Sequence, residues 1–80
     1  MKTGLQTLDE SFLEMRWRVL SLAADLDRIG LATRGQDVLA SDPRIVMLRE
    51  ALRIVENDAS GRAERVQQLF SDHTPPPPRT

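Results

Sequence analysis

Leu5, Leu8, Phe12, Met15, Val19, Leu22, Leu26 and Ile29 follow one another at alternating intervals of three and four residues. Only an α-helix brings residues at that spacing to one side, so the pattern defines a continuous helical seam. An apolar seam of this period is buried against another helix, from the same chain or from a second one, and the sequence therefore specifies helix-on-helix association before anything else.

The 80-residue length allows one domain, and a chain this small buries only about 60% of the surface its unfolded form exposes. Covering the remainder with a partner would add stability. With 40% hydrophobic and 29% charged residues, the composition is that of a folded soluble protein rather than a disordered one. The absence of cysteine excludes disulfides, thiolate nucleophiles and cysteine-bound zinc. Asp9, Glu10 and Glu14 interrupt the apolar core that a signal peptide would need, and no run of apolar residues is long enough to span a membrane. A cytoplasmic location is the expectation. The net charge of −1 gives no general attraction to phosphate or to anionic lipid. All of the eleven basic residues except Lys2 are arginine, a side chain suited to forked contacts at interfaces, although a GC-rich genome gives the same skew.

The spacing predicts three helices, at about 7–29, 43–56 and 61–71. Thr7 with Glu10 fits a capping box at the start of the first, and Gly30 in a left-handed conformation, with Leu31 closing onto Leu26 and Arg28 near the last carbonyls, fits its end. The segment 30–41, with Gly35 inside it, reads as a connector with one helical turn. Asp42 before Pro43 starts the second helix, since proline lacks only an amide hydrogen that would be unpaired there anyway. Ile45, Leu48, Leu52 and Val55 give that helix an apolar face. Asn57, Asp58, Ser60 and Gly61 form a turn-prone cluster, after which Ala63, Val66, Leu69 and Phe70 resume in a shifted register. A single helix over 43–71 with an interior Gly61 is the alternative, at a cost of about 1 kcal/mol. Residues 74–80, with Pro75 to Pro78, are expected to form a flexible proline-rich tail, or at most a polyproline ligand for an aromatic groove. The expected fold is all-α: a small bundle occupying 1–73, its long first helix antiparallel to the second and the third closing one end.

The first helix carries a second apolar row, Leu13, Trp17, Leu20 and Ala24, away from the seam. Two short helices supply too few apolar side chains to cover both rows, so Leu13, Trp17 and Leu20 are expected to form a protein interface, with Arg16 and Arg18 at its rim. Homodimerisation through the first helix is part of that expectation. The competing reading encloses Trp17 in a three-helix core.

Other functions find less support in the residues. Glu14 with Arg18, Asp25 with Arg28 and Arg53 with Glu56 have the spacing of helix-surface ion pairs, which breaks up any basic ridge. A helix-turn-helix reading would direct Arg62, Arg65, Gln67 and Gln68 of the third helix into a nucleic-acid groove, against an acidic overall charge. His73, the lone histidine, stands beside the prolines with no neighbour to orient it for acid–base chemistry. No Glu-x-x-His pair, glycine-rich phosphate loop or nucleophile elbow occurs, so no catalytic residue, metal, cofactor or small-molecule substrate is expected.

Overall fold

A computed structural model describes residues 1–73, apart from the side chain of His73. The proline-rich tail expected at 74–80 lies outside the described residues. Those residues form four α-helices and no strand: α1 (Gly4–Leu31), α2 (Gly35–Ser41), α3 (Pro43–Glu56) and α4 (Arg62–His73). They fall into two compact units, Met1–Leu39 and a second beginning at Ala40.

In the first unit, α1 starts earlier than the Thr7–Glu10 box implied. The chain offers that box twice, four residues apart, and the first one caps the helix. Thr3 Oγ1 accepts from the Gln6 amide at 3.1 Å, and the Gln6 side chain accepts from the Thr3 amide at 2.8 Å. Two otherwise orphaned donors are thereby satisfied. Thr7 instead donates its hydroxyl to the Thr3 carbonyl at 2.9 Å, as a residue already inside the helix can. The added turn brings Leu5 into helical phase with the rest of the seam.

The end of α1 differs from expectation as well. Gly30 is not left-handed; it is an ordinary helical residue, and the helix runs on to Leu31. Its C-cap is Ala32 in extended conformation, with its N–H donating to the Ile29 carbonyl at 3.1 Å. The positive φ falls on Arg34, at 60°. That residue turns the chain into α2, a seven-residue helix where the sequence suggested a connector.

Helix α2 can lie close against the end of α1 because its first residue has no side chain. Gly35 is buried, and a Cβ built on it would stand 1.7 Å from the Ile29 carbonyl oxygen. The Gly35 amide donates to Ala32 O at 2.8 Å, and the Gln36 amide group donates to Gly30 O at 3.2 Å, using a carbonyl that the end of α1 leaves open. Leu26, Gly30, Gln36 and Leu39 line a shallow depression at this crossing. Leu22, Leu26 and Ile29 are half-buried, whereas no residue of α1 is fully buried.

The second unit is built from α3 and α4, which pack on one another. The Asp42–Pro43 start is as expected: Asp42 is the N-cap, and its carboxylate accepts from the Arg44 amide at 2.8 Å. Ile45 and Ala51 are the two buried hydrophobic residues among those described. Leu48, Ile54, Val66, Leu69 and Phe70 are half-buried. The inward face of α3 therefore follows 45, 48, 51 and 54 rather than 45, 48, 52 and 55, and Leu52 and Val55 are exposed. The small side chain of Ala51 suits a close approach to α4.

The chain breaks between α3 and α4, so the alternative of one continuous helix over 43–71 does not hold. Asn57 is an extended C-cap, and its side-chain oxygen accepts from the Ala59 amide at 2.8 Å, forming an Asx turn. Gly61 follows at a φ of 75° and accepts the first α4 bond from Arg65 N at 3.1 Å. The local side-chain bond and the left-handed residue both oppose helical propagation.

Candidate interaction surface on the first helix

Helix α1 has 28 residues, a rod of about 42 Å at 1.5 Å per residue. At about 100° per residue, the seam and the Leu13–Trp17–Leu20 row are centred on directions about 150° apart, so α1 is apolar on two nearly opposite sides.

Both sides are open along the N-terminal two-thirds of the helix. In the seam, Leu5, Leu8, Phe12, Met15 and Val19 are all exposed, Phe12 by 52% and Val19 by 70%. In the second row, Leu13 is 76%, Trp17 66% and Leu20 52% exposed. The structure thus places all three apolar residues of the expected interface together on one exposed face of α1. Burying a side chain of the Leu, Val or Phe class is worth about 1.5–3 kcal/mol. Leaving eight large apolar residues in water on one helix forgoes a substantial part of that stabilisation, and contiguous patches of this kind mark association sites.

The charges along α1 fall into two groups. Lys2 Nζ pairs with Glu10 at 2.6 Å, and Arg18 pairs with Glu14 at 2.5 Å across one helical turn. Arg28 pairs with Asp25. Asp9, Arg16 and Asp27, all exposed, have no ion-pair partner among the described residues. Of the two expected rim arginines, Arg18 is therefore engaged by its own helix and Arg16 is free. The sequence singles out Asp9 only as a charge that interrupts an apolar run; its position beside the seam, seven residues before Arg16, is the signal that could have found it.

Elsewhere the charged groups are largely used by the fold. Arg53 bonds Glu50 at 3.0 Å, one turn back, rather than the expected Glu56. Arg44 forks onto Asp42 with both contacts at 3.1 Å. That contact, more than the Arg44 amide that Asp42 also accepts, holds the Asp42 carboxyl below its ordinary range. Of the arginines considered for a nucleic-acid groove, Arg62 donates Nε to the Asn57 carbonyl at 2.7 Å. Arg65 is half-buried, with Nε and one terminal nitrogen sealed from solvent and lacking hydrogen-bond partners. Gln67 and Gln68 are exposed.

Among the described residues, no group of three His, Cys, Asp or Glu side chains is placed to hold a metal ion. No described helix is long and apolar enough to cross a membrane. No family model matches the sequence, and comparison with curated proteins and with solved structures returns no match.

Proposed function

We propose that this chain is a small non-enzymatic interaction module, an adaptor, regulator or assembly subunit, that works in the cytoplasm by offering α1 to other proteins. Leu13, Trp17 and Leu20 form the contact face, Arg16 and Arg18 stand at its rim, and self-association through α1 accompanies that role. The observation that carries the reading is the exposure of Trp17 between Leu13 and Leu20, on the side of α1 facing away from an equally bare seam. An aromatic residue with a polar edge, flanked by leucines and bordered by arginine, has the composition of a binding hot spot. The nucleic-acid alternative draws less support, because Arg62 Nε is bonded to the Asn57 carbonyl and two of the Arg65 guanidinium nitrogens are sealed from solvent.

The test is site-specific photocrosslinking in the cells that make the protein. A photoreactive residue at position 13, 17 or 20 is expected to give discrete protein adducts, and one at exposed Arg49 on α3 is not. Absence of adducts at all three α1 positions refutes the proposal.

A further inference from the structure

The seam of α1 has a strict seven-residue repeat, so its flanks can be assigned as in a coiled coil. Leu5, Phe12, Val19 and Leu26 occupy the first core position, and Leu8, Met15, Leu22 and Ile29 the second. Asp9 and Arg16 then stand one heptad apart on the same flank, about 10.5 Å along the axis, with opposite charges and no ion-pair partner among the described residues. Lys2–Glu10 and Glu14–Arg18 account for the other side-chain charges between residues 2 and 20. The two left over are those that border the seam on that side.

We infer that α1 binds a second copy of itself antiparallel, with Leu5 of one chain layered on Leu22 of the other, Leu8 on Val19 and Phe12 on Met15, closed by two Asp9–Arg16 ion pairs related by the two-fold axis. The inference rests on α1 being the association element, as proposed above, and adds the occupant and its register.

Two-fold symmetry requires a self-complementary surface, in which residue i meets j and j meets i. In an antiparallel helix pair, like flanks face one another, so an Asp and an Arg on one flank satisfy that requirement with two identical salt bridges. Competing arrangements lack this match. The antiparallel register that overlaps all eight seam residues sets Arg16 against Arg16 and Arg18 against Arg18 of the second copy, a like-charge juxtaposition that selects against it. A shift of one heptad in the other direction pairs Arg18 with Asp25, which are already paired with Glu14 and Arg28, and leaves Leu5 and Leu8 bare. A parallel in-register pair sets Asp9 against Gly4 and Arg16 against Ser11, with no charge matched. Of the six seam residues the favoured register covers, Leu5, Leu8, Phe12, Met15 and Val19 are exposed and Leu22 is half-buried, whereas Leu26 and Ile29, which it leaves out, are both half-buried. Phe12 against Met15 at the centre gives a sulfur–aromatic contact. The Leu13–Trp17–Leu20 row, on the far side of α1, stays available.

Sedimentation equilibrium of the full chain tests this. The parent protein is expected to form a dimer at twice the 9.0 kDa chain mass, and Phe12→Glu to abolish it. Asp9→Arg and Arg16→Asp each turn two attractive pairs into repulsive ones and are expected to raise the dimer Kd by about tenfold at low salt. An equimolar mixture of these two variants is expected to recover the parent affinity as a heterodimer, which no folding defect would do. Unchanged affinity in both single variants, or no recovery on mixing, overturns the antiparallel register even if Phe12→Glu still dissociates the dimer. A monomeric parent protein overturns pairing with a second copy. If adducts at position 17 persist in that case, association through α1 stands; if they are absent too, both readings fall.

Discussion

Adding one methyl group at Gly35 is expected to detach α2 from α1. A Cβ there would lie 1.7 Å from Ile29 O, 2.8 Å from Ile29 C and 3.0 Å from Gly30 C, and all three are backbone atoms that no rotamer change can move. Real Cβ atoms essentially never approach closer than 3.0 Å, so α2 must retreat by at least 1.3 Å, the difference between 3.0 and 1.7 Å. Overpacking of this kind costs about 1–3 kcal/mol. A helix of seven residues has no reserve to absorb it, because isolated helices shorter than about 12–15 residues are marginal in water. The bonds from Gly35 N to Ala32 O and from Gln36 to Gly30 O are lost with the crossing. Amide hydrogen exchange read by mass spectrometry is the assay: in Gly35→Ala, peptides covering 35–41 lose protection while those covering the middle of α1 keep it. Gly4→Ala is the control, since nothing lies within 4 Å of the added methyl, and it is expected to be neutral or stabilising by up to about 1 kcal/mol. Unchanged protection across 35–41 in Gly35→Ala would refute the claim that backbone contact at that glycine holds α2 in place.

Two further substitutions probe the helix starts. Thr3→Ala removes the acceptor for the Gln6 amide and is expected to cost about 1 kcal/mol, seen as faster exchange confined to residues 4–7, with the Thr7–Glu10 box becoming the new start. At α3, the Asp42 carboxyl is held below its ordinary value of 3.8, chiefly by the Arg44 side chain and then by its amide. A group whose pKa is lower when folded stabilises the fold above its unfolded pKa and ceases to do so as pH falls through the folded value. Denaturation measured from neutral pH down through and below 3.8 is therefore expected to show an acid loss of stability in the parent protein that is smaller in Asp42→Asn, which keeps a capping oxygen but cannot titrate. Equal acid sensitivity in both proteins would contradict that assignment.

What could be read from the residues divides by the range of the interaction responsible. The all-helical class, the Asp42–Pro43 start and the break near Gly61 follow from local rules of phase, capping and backbone conformation, and each is found. The Thr7–Glu10 box points to a start of α1 three residues too late, because two capping boxes compete. Leu5 carried the deciding information, since a residue can lie on a helical seam only if the helix already includes it. Helix α2 was not legible, because its stability comes from the meeting of Gly35 with Ile29, a tertiary contact with no periodic signature. The same applies to the inward face of α3, where Ala51, weak on any hydropathy scale, is buried and Leu52 is not.

On α1 the apolar positions and the charged positions carry different kinds of information. Eight seam residues in heptad phase would accept many partners and several registers, since leucine against leucine is favourable at any offset of seven. The charges are what can discriminate among them, and the structure sorts those charges in a way that the sequence alone does not. Glu14–Arg18 and Lys2–Glu10 are satisfied within the chain, so they exert little preference on what approaches. Asp9 and Arg16 have no ion-pair partner among the described residues, and they lie on a single flank. A surface that, over residues 2–20, pairs its other ions internally and leaves one opposite-sign pair a heptad apart distinguishes between registers that its hydrophobic stripe treats as equal. Specificity of this sort depends on the repulsion in the rejected arrangements as much as on attraction in the accepted one, and here Arg16 supplies both.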